Sequence, residues 1–275
     1  MSYALYERLT ANLKSIQAKI ANANVELMVV SKYATTEQLF AQIVNGCTLI
    51  GENYVQEAHR KYKSLQLIRT IFSQPEYLES LRKNSFPKEL EQDFALETWQ
   101  DIQFLTNYGQ KLENRDFILH IQQMLAQVKL HIIGNVQSRK INEVCSFADS
   151  IDAVSSEKAL LKIQQGAQKQ NKVMQVLLQL RSPLAQGDNR AGCSQEEIFT
   201  LAQLINSLEN VSLQGLMFIA STENLPSEYE FAHNTFLQLQ EKYQITTLSM
   251  GMTDSLDVAI QNGSTQVRIG SALFK

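Results

Sequence analysis

The chain has 275 residues, 44% of them apolar, and a formal net charge of −3. That is enough length and apolar mass for one large α/β domain with a substantial core, and it argues against intrinsic disorder. The slightly acidic balance argues against a surface that grips a nucleic-acid backbone, and no apolar run is long enough to span a membrane.

Leu5, Leu9, Leu13, Ile16 and Ile20 recur at helical spacing, so an amphipathic helix opens the chain. Val25 to Val30 is an apolar run of strand length. Thr35-Thr36-Glu37-Gln38 offers a capping box to a helix carrying Leu39, Phe40, Ile43 and Val44, and Gly46 supplies its stop. Further strand-like runs follow at Cys47 to Ile50, Leu130 to Ile133, Ile151 to Val154, Val173 to Leu180, Val211 to Ile219, Thr246 to Met250 and Gln266 to Ile269, which makes eight with the first. Helical stretches such as Ser156 to Lys169, Ser194 to Leu208 and Glu228 to Tyr243 lie between them. Eight strands separated by helices predict an α/β fold, a single-domain (β/α)8 TIM-type barrel; a doubly wound open sheet is the rival that periodicity alone also allows.

One connection breaks the rhythm. Between the second and third strands, Asn53 to His131 is far longer than a crossover with one helix requires. Residues 61–128 read as a helical insertion, with pieces at Leu65 to Phe72, Glu76 to Arg82, Lys88 to Tyr108 and Asp116 to Val128. It serves either as extra packing on the barrel's flank or as a lid or docking surface.

In a barrel, the residues that carry chemistry follow each strand's last apolar position. Here they are Lys32; Glu52 and Asn53; Asn135; Arg181; Ser221; Ser249; and Arg268 with Gly270 and Ser271. The last two strand ends are the most specific. Leu248-Ser249-Met250-Gly251-Met252-Thr253-Asp254 and Gln266-Val267-Arg268-Ile269-Gly270-Ser271-Ala272 both finish in small residues. Their glycines let backbone N–H groups approach an anion, and Ser249 and Ser271 add hydroxyl donors, which together make a phosphate cradle. Thr253 or Asp254 caps the helix expected over Ser255 to Gln261.

A lysine at a strand end ordinarily points into water. An apolar surround or a nearby cation makes an amine give up its proton and become nucleophilic, and Arg268 on the adjoining strand is such a cation for Lys32. Taken alone, Arg268 reads as half of an ion pair. Beside a pyridine cofactor it would face the ring nitrogen and leave it unprotonated, because a guanidinium keeps its proton. A phosphate cup plus a strand-end lysine points to a bound phosphorylated aldehyde.

His59, His120, His131 and His233 lack metal-ligand spacing and take structural roles by default. Cys47, Cys145 and Cys193 lie far apart with no C-x-x-C pair, so they read as small fillers in a reducing cytoplasm. The N-terminus lacks a signal peptide's apolar core.

Val30-Ser31-Lys32, Gly51-Glu52-Asn53-Tyr54-Val55-Gln56-Glu57, the stretch His131 to Lys140, Gly215-Leu216-Met217 and the C-terminal tract resemble the pyridoxal 5′-phosphate (PLP) homeostasis protein family, relatives of the barrel domain of alanine racemase. The resemblance implies PLP held as a Schiff base on Lys32. It also implies phosphate contacts from Ser249, Met250, Gly270 and Ser271, Arg268 at the ring nitrogen, and Asn53 lining the cofactor site. The chain departs from the family at Asn189-Arg190-Ala191-Gly192, where a Ser-Lys-x-Gly loop is usual, and at Phe218-Ile219-Ala220-Ser221, which lacks the usual proline.

Racemases of this type take their second base from an additional β domain, and this chain ends at Phe274-Lys275, directly after the eighth strand. A weak electron sink and a missing base argue against efficient amino-acid chemistry. The resemblance therefore implies a monomeric cytoplasmic carrier that stores, buffers or delivers PLP, with PLP-dependent apo-enzymes as recipients. The alternatives are a racemase-like PLP enzyme of low activity, drawing a base such as Tyr77 or Tyr108 from the insertion, and a barrel aldolase using Lys32 on a sugar phosphate.

Overall fold

A computed structural model describes residues 3–184, 192–221 and 224–275. The order is α1 (Tyr3–Ile20), β1 (Glu26–Val30), α2 (Thr36–Val44), β2 (Leu49–Glu52), α3 (Val55–Ser73), α4 (Pro75–Arg82), α5 (Leu96–Ile102), α6 (Arg115–Gln127), β3 (Lys129–Ile132) and α7 (Ile141–Phe147). Then come β4 (Ser150–Val154), α8 (Glu157–Lys169), β5 (Met174–Leu180), α9 (Gln195–Ile205), β6 (Val211–Phe218), α10 (Leu225–Gln240), β7 (Thr247–Ser249), α11 (Leu256–Gln261), β8 (Gln266–Ile269) and α12 (Ser271–Phe274). Local signals set several of these ends. Thr35 Oγ accepts from Gln38 N while the Gln38 side chain accepts from Thr35 N, the capping box expected for α2. Gly46 follows α2 with φ +95°, a conformation that stops the helix.

All eight strands are parallel and close into a barrel in the order β1 to β8, with β1 pairing β8 in the register Met28↔Arg268 and Val29↔Ile269. The open-sheet rival is thereby excluded. The apolar core has two parts. Ala153, Leu177 and Met217 pack together in one small buried cluster, while a larger cluster fills the space where strands meet helices. Strand alternation sets which way the site residues point. A Cβ on Gly51 would lie 2.6 Å from Met28 Sδ and 3.2 Å from Ile133 Cδ1. Side chains from strands on both sides converge in this way over the inner face, so Met28 points inward, and Lys32 follows two residues beyond the end of β1.

The connection from β2 to β3 is built of helices joined by short turns. α3 packs against β2, β3 and α7, and α4, α5 and α6 pack onto α3. The stretch expected as one helix from Lys88 to Tyr108 is divided. A 3-10 turn at Lys88–Leu90 precedes α5, and a second 3-10 segment, Gln103–Glu113, bends at Gly109 (φ 48°, ψ −125°). Trp99 of α5 stacks on Phe86 with ring centroids 5.3 Å apart. The three cysteines are buried and free, and burial pushes the Cys145 and Cys193 thiols up to about 11 and Cys47 to about 12. No helix among the described residues is long and apolar enough to cross a membrane.

Candidate functional site

The mouth at the strands' C-terminal ends gathers Lys32 after β1, Asn53 after β2, Ser249 and Met250 at the end of β7, and Arg268, Gly270 and Ser271 at the end of β8. Lys32 is exposed at the corner of a turn that Ala34 N closes onto Ser31 O (2.9 Å). The next residue, Tyr33, has φ +67°, a left-handed conformation rare for a residue with a side chain. Tyr33 is 83% exposed and its ring lies 6.4 Å from that of half-exposed Tyr54, so two aromatic rings pair at the turn that carries Lys32. Lys32 Nζ itself sits 5.8 Å from the Tyr33 centroid.

Arg268 is buried and neighbours β1 in register, as expected, but its guanidinium leans the other way. Nη1 donates to Ser249 O (2.6 Å) and Ser249 Oγ (2.9 Å), and Nη2 donates to Phe218 O (2.9 Å). Among the described residues it makes no ion pair. Burial lowers its pKa to about 10, against smaller opposing effects of Tyr229 and Asp152, so it stays charged at neutral pH. A guanidinium held only by neutral oxygens under the mouth retains N–H groups for a further acceptor.

The two strand ends meet where the cradle was expected. Arg268 N donates to Gly251 O (3.0 Å), and the Thr253 and Ser271 hydroxyls lie 3.4 Å apart. Ser249 and Met250 are fully buried, Gly270 is half-buried and Ser271 is exposed, so an anion entering from the mouth meets Ser271 and Gly270 first. Met250 donates its backbone N–H to Gln266 O (3.0 Å), which makes it a wall of the cup more than a donor to it. Thr253, expected only as a helix cap, instead opens a 3-10 turn (Thr253–Ser255) and stands with Ser271.

Two observations bear on whether these residues fit a phosphorylated pyridine aldehyde. Asn53 Oδ1 is buried without a partner, a polar atom that ordinarily demands one. A Cβ on Gly270 would stand 3.0 Å from Val30 O, so glycine keeps the backbone open beside β1. A ligand with polar groups at the Asn53 side and an anionic tail at Gly270 and Ser271 fits both.

Other strand-end residues go elsewhere. Arg181 turns outward to Glu197 of α9 (3.7 Å), and Asn135 is exposed. Ser221 Oγ and Ser182 Oγ both donate to buried Glu228 of α10. Glu52 points away from the mouth to Lys61 of α3 (2.7 Å), both fully buried. Strand-end position does not mark Lys61; it shares one helix face with Ala58, Leu65 and Ile68, and a lysine on an apolar stripe is the signal that finds it. Tyr108 packs on Phe40 of α2 and Phe117 of α6, and burial raises its hydroxyl above the ordinary range. Tyr77 lies partly buried in α4, packed on the core. Of the Asn189 to Gly192 loop, positions 189–191 lie outside the described residues.

His59, His120 and His131 are tied into the fold by polar contacts. His59 pairs with Glu143 (3.1 Å), His120 bonds Val44 O (2.8 Å), and no metal-ligating cluster occurs among the described residues. His131 Nδ1 meets Asp152 (2.9 Å) at the opposite end of the barrel, beside a cavity of about 150 Å³ lined by Glu26, Gln175 and Gln266. Burial alone would lower the imidazole, but Asp152, helped by Asp149 and Glu26, raises it above 6.5 overall. The pair's stabilisation is therefore complete below pH 6.5 and is lost as pH climbs through the raised folded-state value. Thermal unfolding followed by circular dichroism from about pH 5 to about pH 9 should show this decline, and His131→Asn should flatten it.

The profile of the family described as "Alanine racemase, N-terminal domain" matches residues 6–275. A Vibrio cholerae protein named pyridoxal phosphate homeostasis protein is 31% identical over 279 positions, covering 98% of this chain and 93% of that protein. A Pasteurella multocida protein of the same name is 29% identical over 265 positions, covering 94% and 89%. Among solved structures, PipY of Synechococcus elongatus with PLP bound aligns with a TM-score of 0.67 at 21% identity, over 97% of this chain and all of PipY (100%). A Clostridium difficile alanine racemase aligns with a TM-score of 0.59 at 13% identity, over 97% of this chain and 56% of the racemase.

Proposed function

The chain belongs to the pyridoxal phosphate homeostasis protein family, within the alanine racemase N-terminal domain class, and from that premise we propose that it binds PLP as a Schiff base on Lys32. It serves cytoplasmic PLP homeostasis by storing, buffering or delivering the cofactor to PLP-dependent apo-enzymes. The observation that carries this reading is the meeting at one mouth of an exposed strand-end amine, Lys32, with an orphaned buried acceptor, Asn53 Oδ1, and the paired hydroxyls of Thr253 and Ser271.

PLP brings an aldehyde that condenses with amines and a ring that withdraws electrons from a bound amino acid. This chain's residues hold it. Ser271, Thr253 and the backbone at Gly270 take the phosphate, with Ser249 and Met250 behind them. Asn53 lines the ring's side of the mouth. Arg268 would face the ring nitrogen as a permanent donor, which would weaken the ring as an electron sink and favour keeping the cofactor over using it.

Borohydride reduction of protein incubated with PLP, followed by peptide mapping, should place the reduced adduct on Lys32. An adduct distributed over surface lysines with none at Lys32 would discard the proposal.

A further inference from the structure

We infer that Glu52 and Lys61 form a buried clamp that positions both the Lys32 amine and Asn53, so that Lys61 is a positioning residue for cofactor capture. This rests on the reading of Lys32 as the PLP anchor. Glu52 is 0% exposed and Lys61 1%. Taking two charges out of water is costly, and well-packed apolar residues often serve stability as well, so the pair needs a reason beyond stability.

Its bonds supply one. Lys61 Nζ donates to Ser31 O (2.5 Å) and Glu52 Oε2 (2.7 Å), and Ser31 Oγ donates to the same Oε2 (2.9 Å). The carboxylate's other oxygen accepts from Asn53 N (2.8 Å) and Tyr54 N (3.3 Å). One oxygen thus grips the chain just before Lys32, and the other grips the chain at Asn53.

Ser31 O is also the acceptor that closes the Lys32–Tyr33 turn through Ala34 N (2.9 Å). Lys61 therefore fixes the very atom on which that turn shuts. The Lys32 side chain has no hydrogen bond or ion pair among the described residues and meets only the Tyr33 ring of the same turn, so its direction depends on this backbone. The left-handed Tyr33 (φ +67°) is a conformation the chain keeps only where its surroundings over-determine it.

The test compares wild type with Lys61→Met, the neutral pair Glu52→Gln/Lys61→Met, and Ile68→Ala. Ile68 lies on α3, is fully buried and is absent from the clamp, so it reports destabilisation alone. The rate and equilibrium of PLP capture are followed by visible absorbance, and amide exchange is followed at Ala34, Asn53 and Tyr54. The clamp variants should capture PLP about tenfold more slowly while folded, because small misplacements of a reacting group have effects of that order or larger. Their exchange should quicken at those three amides, and Ile68→Ala should leave capture unchanged.

A folded neutral-pair variant with wild-type capture and wild-type exchange would overturn the clamp, as would an equal slowing in Ile68→Ala. If wild type forms no adduct at Lys32, the functional reading fails separately, and amide exchange alone then decides the clamp: no change at Ala34, Asn53 and Tyr54 rejects it.

Discussion

Lys32→Ala should lose the visible band that wild type gains with PLP and should no longer retain the cofactor through gel filtration. The mouth residues around position 32 explain why no neighbour substitutes. Arg268 does not form imines, and the nearby Lys61 is buried with its Nζ held by Ser31 O and Glu52. On this proposal, what should survive in the variant is non-covalent binding at Ser271, Gly270 and Thr253. Losing the covalent anchor should raise the dissociation constant by about a hundredfold or more, or about 3 kcal/mol. Equilibrium dialysis with fluorescence of the free cofactor measures it. Unchanged retention by the variant would assign the anchor elsewhere. The same preparations separate the rival chemistries: a racemase-like enzyme exchanges the α-proton of an amino acid in deuterated water, and an aldolase cleaves a sugar phosphate without any colour.

The second large effect concerns the barrel itself. Gly215 lies in β6 with φ +156°, beside a register shift in which Val176 faces Leu213 and Leu177 faces Gly215. That leaves Gln214 as an extra residue and bends the strand. A Cβ on Gly215 would lie 1.7 Å from Thr247 O and 2.7 Å from Thr247 C, both backbone atoms of the paired strand β7. No rotamer relieves such a clash, so β6 and β7 must separate locally. Gly215→Ala should therefore cost about 4 kcal/mol or more in chemical denaturation. Gly46→Ala is the control: φ is +95° there but nothing lies within 4 Å, so only backbone strain of about 1 kcal/mol is expected.

Much of this was legible in the sequence because it depends on local pattern. The eight apolar runs coincide with the eight strands to within about two residues at most ends, since the inner strands of a parallel barrel are buried on both faces and read as continuous apolar segments. The capping box at Thr35 and the stop at Gly46 are likewise local chemistry. The Lys88 to Tyr108 stretch was less legible. Its helix-forming composition does not reveal that the chain turns at Gly109, or that packing of Trp99 on Phe86 decides where α5 lies.

At the site, the sequence brought Lys32, Asn53, Arg268, Gly270 and Ser271 to one mouth because strand ends fix the location. It did not give orientation. Glu52 and Asn53 are adjacent, yet Glu52 turns to Lys61 of α3 while Asn53 Oδ1 is buried without a partner. Arg268 leans toward β6 and β7 although β1 lies equally near in register, because Phe218 and Ser249 offer it oxygens. Such choices among neighbours are settled by three-dimensional packing, which no spacing encodes.

The sealed sulfurs have a chemical consequence. Thiolates attack aldehydes readily, and a protein that handles one would otherwise trap it on its own sulfur. Cys47, Cys145 and Cys193 are all buried, and burial keeps each of them protonated at neutral pH. The fold therefore withholds every native thiol from carbonyl capture, and the reactive aldehyde is left to nitrogen alone.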